Sequence, residues 1–421
     1  NLGFYAMVVN DHFGLLMQGV ILIGAILVVL LSMSYVRREE LEQGEYYALI
    51  LLAVVGMMFM AASADLIMIF LTLEVFSIAL YILSAFARAR PKSEEAGMKY
   101  LLLGSFSSAF LVYGIALIYG TTGTTNMLKV AGVLATPVVR GNALLLAGTG
   151  LLLIGLGFKV SAVPFQVWTP DVYEGAPISV SAFMSVGTKV AAFAAIVRVF
   201  IQMLPSIRVD WLPIVWALSA LTMIVGNLIA IAQPGIKRML AYSSIAHAGY
   251  VLVGIAAASR AGVAAVPFYM LAYAFMTLGA WMVVVLVARK GEIGVDLQDY
   301  SGLFWRNPGV AVAMGLFMFS LAGIPPTAGF TSKFTVFYAG VEQHLIGLVV
   351  IGVVTTLISI YYYLRVTVLM FMNRPEGEVE PIRVPASIVI ALVIASLGTL
   401  ALGVYPAPFI QLAQRVVPFG F

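Results

Sequence analysis

Residues 151–170 read LLLIGLGFKVSAVPFQVWTP. The stretch opens as a membrane span and then departs from that pattern twice, at Lys159 and at Pro164. A lysine at mid-membrane costs about 2.5 to 3.5 kcal/mol on insertion scales. A proline inside a helix removes a backbone hydrogen bond and clashes with the preceding turn. In a bilayer such a break persists only where protein or internal water takes up the freed groups. The same combination recurs at residues 321–335, LAGIPPTAGFTSKFT, with Pro325 and Pro326 ahead of Lys333. Both breaks are expected to face the protein interior, and both lysines to serve a use that offsets their cost.

The rest of the chain supplies the apolar surroundings. Of 421 residues, 62% are hydrophobic and 10% charged, against about 25% charged in soluble domains; the mean hydropathy is +1.04. The chain reads as an all-α polytopic membrane protein. Windows of about 20 apolar residues, each enough to cross about 30 Å of hydrocarbon, fall near 12–35, 46–63, 65–87, 98–120, 143–169, 177–203, 210–232, 236–258, 262–288, 308–341, 345–371 and 384–404, about twelve spans. A net charge of +4 gives no hint of nucleic acid. With no cysteine, the chain itself offers no disulfide, iron–sulfur ligation or thiolate zinc site. His12, His247 and His344 are too scattered for a metal motif. No phosphate loop or dinucleotide fingerprint is present. No cofactor is expected in this chain, and any electron carrier belongs to another one.

Loop charges set an orientation. Arg37, Arg38, Arg88, Arg90, Lys92, Lys99, Arg238, Arg289, Lys290, Arg306, Arg374 and Arg383 fall on one side, and Lys129, Arg140, Arg208 and Arg260 on the other. The richer side is expected to be cytoplasmic. Twelve spans then put both ends of the chain outside. Five spans within 46–203 can be laid against five within 204–372; an odd number forces the two blocks into opposite orientations. The fourth element of each block is the proline-broken one. Broken segments at matching places in inverted halves point to a transport site. The expected organisation is a first helix and loop in 1–45, two inverted five-helix repeats in 46–203 and 204–372, and a last helix and tail in 373–421.

Two more ionisable groups lie inside spans: Glu74 in IFLTLEVFSIAL and Lys189 in SVGTKVAAFA. Burial disfavours the charged form of such groups and a nearby opposite charge favours it, so a buried Glu–Lys pair has two balanced states. Arginine could not exchange its proton in this way. Glu74, Lys159, Lys189 and Lys333 are therefore the expected proton path. The alternative is a fixed intramembrane ion pair between Glu74 and Lys159. His247, near mid-span in AYSSIAHAGYVL, is either a relay or a neutral side chain bonded between helices. Lys237 is either a second relay or an interfacial cation. Asp171 and Glu174 are expected to shape a loop, and Tyr242, Ser243 and Ser244 to bond helices together.

These segments resemble a known family. Residues 158–177, FKVSAVPFQVWTPDVYEGAP, together with KRMLAYSSI from Lys237 and the run from Gly323 to Phe334, are similar to the signature of the antiporter-like membrane subunits of respiratory complex I. The likeness covers essentially the whole chain. Family members of this type have about fourteen helices, so the first two are expected to precede this sequence, which opens on Asn1. Lys333 and the short tail after the last span separate this type from relatives with a glutamate there or with a long lateral helix. The resemblance implies proton translocation coupled to quinone reduction. NADH, FMN, iron–sulfur clusters and quinone would then be held by partner subunits. Partners would be other membrane-arm subunits, including further antiporter-like ones and small subunits on the quinone-module side. The setting would be the bacterial inner membrane. A sodium or potassium/proton antiporter of the Mrp kind and a structural membrane scaffold are the competing functions; a row dominated by lysines argues against a dedicated cation site, which wants oxygen ligands.

Overall fold

The computed structural model describes residues 2–136, 141–373 and 382–417; Arg140 and Arg374, counted in the loop charges, lie outside them. Short polar or proline-bearing stretches start the helices. Asp11, Asp65, Asn142 and Asn307 each accept a backbone N–H of the first turn, and Pro91 and Pro308 occupy first helical positions, where the missing N–H costs nothing. The helices are α1 (His12–Arg38), α2 (Gly44–Ala61), α3 (Leu66–Ser84), α4 (Pro91–Thr122), α5 (Met127–Leu134), α6 (Ala143–Val160), α7 (Trp168–Gly175), α8 (Ile178–Met203), α9 (Pro205–Ile231), α10 (Ile236–Ala257) and α11 (Arg260–Val287). They continue as α12 (Pro308–Ala322), α13 (Ala328–Glu342), α14 (Ile346–Met372), α15 (Ala386–Val404) and α16 (Ala407–Arg415). Among the described residues, 11 helices are long and apolar enough to cross a membrane; α12 and α13 together add a further crossing, as the sequence suggested. The only strands there are the two-residue pair Leu2–Gly3 and Val8–Val9.

Burial sorts the helices into a centre and a sheath. The most apolar window of α8 is 100% buried, that of α10 94% and that of α11 89%, against 33% for α15. The outer helices turn Leu51, Leu102, Val350, Leu357 and Leu397 outward, as lipid contact requires. α8 is also wound more widely than an α-helix at Met184–Thr188 and Val197–Met203. Such π-turns are rare and gather at functional sites; Lys189 follows the first of them directly.

One charged residue of α8 was not singled out by sequence. Arg198 is 2% exposed and pairs with Asp11 at 2.8 Å, while its Nε donates to the Ala61 carbonyl. It ties α8 to the start of α1 and the end of α2.

The two breaks differ from expectation in one respect. Their backbone is buried at Ser161–Val163 and Thr327–Gly329, but Pro164, Pro325 and Pro326 face outward. The physical reason is that proline has no N–H to leave unpaired, so it is the residue of a break that can sit at the chain's surface. The freed groups are satisfied internally. Ser161 takes a left-handed φ of 63°, the Ala162 N–H bonds the Gly157 carbonyl at 2.8 Å, and Trp168 Nε1 donates to the Phe158 carbonyl at 3.0 Å. At the second break Gly323 turns with φ 85°, and its N–H and that of Ile324 both reach the Phe319 carbonyl. The halves α12 and α13 meet so closely that Gly329 N–H bonds Ser320 Oγ at 3.0 Å.

Candidate functional site: a buried row of ionisable side chains

The row begins on α3. Glu74, Ser77 and Thr72 lie within about one and a half turns, with Glu74 and Ser77 sharing a face by their three-residue spacing. Glu74 is half-buried and accepts a hydrogen bond from Ser108 of α4. Lys159, on the last turn of α6 and 1% exposed, donates to Ser77 Oγ at 2.8 Å. The rings of Phe76, Tyr81, Tyr100 and Phe158 surround its ammonium at 5.3 to 5.7 Å. Glu74 lies within electrostatic reach of the Lys159 ammonium, but no Glu74–Lys159 ion pair forms among the described residues; the ammonium bonds Ser77 instead.

Lys189, 1% exposed on the central helix, donates to the Ser244 carbonyl of α10. About one turn further along α10 from Ser244, His247 Nδ1 meets Tyr269 Oη at 2.7 Å and its Nε2 meets Tyr363 Oη at 3.3 Å. Ser243 also bonds Tyr363, which fits the expected helix-bonding role of that residue. His247 lies within electrostatic reach of both Lys189 and Lys333, so its position is that of a neighbour to both lysines. Lys333, on α13 and 3% exposed, reaches back across the break to the Leu321 carbonyl at 3.1 Å and the Ala322 carbonyl at 3.2 Å. Those are the open C-terminal carbonyls of α12, the negative end of its dipole. Its ammonium also sits 4.7 Å from the Tyr250 ring. Lys159 thus precedes its break and Lys333 follows one, an asymmetry that matching the prolines alone hides.

Lys237 behaves differently. It is 2% exposed, bonds the Ala176 carbonyl at 2.8 Å and forms an ion pair with Glu292 at 2.7 Å. Glu292 was missed by sequence reading because it stands in the polar loop GEIGVD, where a carboxylate looks solvated. It also accepts from Tyr35 and from the Ile178 N–H that opens α8, and pairs with Arg90 at 3.2 Å. Arg90 bonds Glu39, which holds Arg38 and the Gly291 N–H. One chain of charges therefore binds the ends of α1, α4, α10 and α8. Only the count of acidic against basic residues near one membrane face could have hinted at it. Asp171 and Glu174, expected in a loop, lie on the short helix α7, where they pair with Arg238 at 2.9 and 2.8 Å, and Lys99 joins Asp171 at 2.8 Å.

Burial raises the Glu292 carboxyl, but Lys237, Tyr35 and the Ile178 N–H outweigh it and hold it below the usual carboxylate range. Its contribution to stability is then complete above about pH 4.3 and is lost as pH falls through the lower folded value. Glu292→Gln leaves Lys237 buried without its counter-ion and is expected to cost about 3 kcal/mol. Thermal unfolding of the solubilised complex measures it; an unchanged midpoint would remove the pair from the account of stability.

The family described as NADH:quinone oxidoreductase/Mrp antiporter, TM matches residues 63–359 of this sequence. The chain is 50% identical over 414 residues to the NADH-quinone oxidoreductase subunit N of Trichlorobacter lovleyi, an alignment covering 98% of this chain and 85% of that one. It is 49% identical over 420 residues to the NADH-quinone oxidoreductase subunit N 1 of Herpetosiphon aurantiacus, covering 99% and 86% respectively. Among solved structures it is similar to a chain of the respiratory complex I from Thermus thermophilus with bound Aureothin, with a TM-score of 0.81 at 35% identity, covering 96% of this chain and 87% of that one.

Proposed function

Because this chain belongs to the NADH:quinone oxidoreductase/Mrp antiporter transmembrane family, we propose that Glu74, Lys159, Lys189, His247 and Lys333 pass protons through its interior. The chain is an antiporter-like, multi-pass membrane subunit of the complex I type, and its role there is proton translocation. In the proposed division of labour it carries no redox centre. NADH, FMN, iron–sulfur clusters and quinone are held by partner subunits, and quinone reduction there drives proton export here. Its neighbours are other antiporter-like subunits and small subunits on the quinone-module side, in a bacterial inner membrane. Residues 46–203 and 204–372 act as two inverted halves, each with a broken helix and a buried lysine.

One observation carries the assignment of the row. Lys159, Lys189 and Lys333 are each bonded to neutral oxygens, a hydroxyl or carbonyls, rather than to a carboxylate. A lysine so held has no counter-ion bonded to it to lock its proton in place, whereas Lys237 is bonded to Glu292. Lys237 is therefore read as an anchor and the three others as exchangers.

The test is Lys159→Met in the assembled complex. It keeps the volume of the stem and removes the proton-carrying group. Coupled quinone reduction and proton uptake into vesicles are expected to fall about tenfold. Wild-type pumping by a fully assembled variant would end the reading of Lys159 as a proton carrier.

A further inference from the structure

Lys159 is buried, and one of its three ammonium donors is used, on Ser77 Oγ at 2.8 Å. Glu74 lies within electrostatic reach but is not bonded to it. The ammonium stands among rings instead. Its Nζ lies over Tyr100 at 5.3 Å from the ring centroid, over Phe76 and Tyr81 at 5.6 Å, and over Phe158 at 5.7 Å. These rings come from three helices: Phe76 and Tyr81 from α3, Tyr100 from α4, and Phe158 from α6 beside the lysine itself. Among the described residues no other lysine is surrounded in this way. Lys333 has one ring, that of Tyr250, and no ring stands over Lys189 or Lys237.

The rings also fix one another. Tyr81 meets Tyr100 edge to face at 4.8 Å. Trp168, the first residue of α7, stacks on Tyr100 at 4.6 Å with the planes 7° apart, and on Phe158 at 5.2 Å with the planes 25° apart. Stacked and edge-to-face pairs add attraction beyond the area they bury. Trp168 is held in turn by its Nε1 bond to the Phe158 carbonyl. Tyr81 Oη and Tyr100 Oη are buried and have no hydrogen-bond partner. What these two tyrosines offer the lysine is therefore the ring face, not the hydroxyl. A ring face is negative and attracts an ammonium within about 6 Å of its centroid, more strongly when the cation is desolvated. Rings on several sides of one cation are also how proteins hold alkylated ammonium ions.

We propose that Phe76, Tyr81, Tyr100 and Phe158 form an aromatic cage that keeps the charged form of Lys159 available inside the membrane, in place of a bonded counter-ion. A carboxylate in contact would lock the ammonium, as Glu292 does that of Lys237. Ring faces attract it more weakly and accept no proton from it, so the charge is held and can still be given up. The four rings are positioning residues: they act through Lys159 and carry no proton themselves. Trp168 acts one step further out, by holding Tyr100 and Phe158 in place. The inference rests on the reading of Lys159 as a proton carrier.

The experiment uses the assembled complex. Tyr100→Leu is expected to lower proton translocation about tenfold, and Tyr100→Phe, which restores the ring without the hydroxyl, to recover it. Fluorinated phenylalanines incorporated in place of Tyr100 keep the shape of the ring and weaken its negative face in steps. Translocation is expected to fall in the same steps, by about threefold with three fluorines. The same series at Phe106, exposed on α4, is the unaffected control. Equal rates for phenylalanine and trifluorophenylalanine in place of Tyr100 would mean that the ring serves packing alone, and would overturn the cage. A Tyr100→Phe complex as slow as Tyr100→Leu would overturn it too, since the hydroxyl would then be the group in use. If Tyr100→Leu fails to assemble, the fluorinated series decides alone, because it changes no shape. Lys159→Met separates the two readings. If it is inactive while the fluorinated series is flat, the cage falls and the proton role of Lys159 stands; if it pumps normally, both fall.

Discussion

Lys333→Arg is expected to leave the complex assembled and to stop proton transfer through the second half of this chain. The side chain at this position holds the Leu321 and Ala322 carbonyls, which would otherwise be unpaired at a break inside the membrane. A guanidinium keeps that charge, can donate to both carbonyls and can lie over the Tyr250 ring as the ammonium does. It cannot give up its proton, because arginine stays protonated in proteins. The exchange step is then removed and the bonding kept, and the coupled rate should drop by about 10²-fold or more, the scale on which a positioned proton-transfer group acts. The space is limited: a Cβ on Gly323 would lie 3.1 Å from Lys333 Cδ. Lys333→Met is therefore the companion variant, smaller and without donors. Pumping into vesicles and the amount of intact complex are measured side by side. Wild-type pumping by an intact arginine variant would show that Lys333 serves only to cap the broken helix.

Gly329→Ala is expected to prevent the second broken helix from forming. A methyl group there would stand 1.6 Å from the Ser320 carbonyl oxygen, a backbone atom that cannot swing aside. The two half-helices would have to separate, which breaks the Gly329 N–H to Ser320 Oγ bond and carries Lys333 away from the carbonyls it holds. Overpacking and lost backbone bonds together place the cost above about 4 kcal/mol, and little assembled complex should be recovered. Gly150→Ala is the control, since nothing lies within 4 Å of the added atom. A stable, active Gly329→Ala complex would mean that the junction of α12 and α13 yields more readily than packed backbone does.

Much of this architecture is legible in the chain itself, because lipid imposes simple demands. A span needs a length of apolar residues, and a proline or lysine within it stands out at once; that is how Lys159, Lys189, Lys333 and both breaks could be found. What could not be read is which way a broken helix turns its prolines, since orientation is settled by neighbours distant in sequence, such as Thr222 at the first break and Gly403 at the second. The same holds for Glu292. Its loop looks solvated until the starts of α10 and α8 close over it. Arg198 escaped for a different reason: an arginine near the end of a span resembles an interfacial residue, and only the fold brings Asp11 to it. Ser77, standing where a direct Glu74–Lys159 pair was considered, carries no signal at all, being one of many serines in apolar surroundings.

The complete enclosure of α8 has a consequence for how the molecule is made. Its two cations are served by residues translated at different times. Asp11 and the Ala61 carbonyl have left the ribosome well before Arg198 does, so that charge can be matched as the segment is laid down. Ser244 lies 55 residues beyond Lys189, and α10 and α11, which close the far wall, come later still. During biosynthesis the lysine is made before its partner on α10 exists, whereas the partners of the arginine are already in place. The order of the chain thus separates one positive charge that is matched from the outset from another that stays open until the wall is finished.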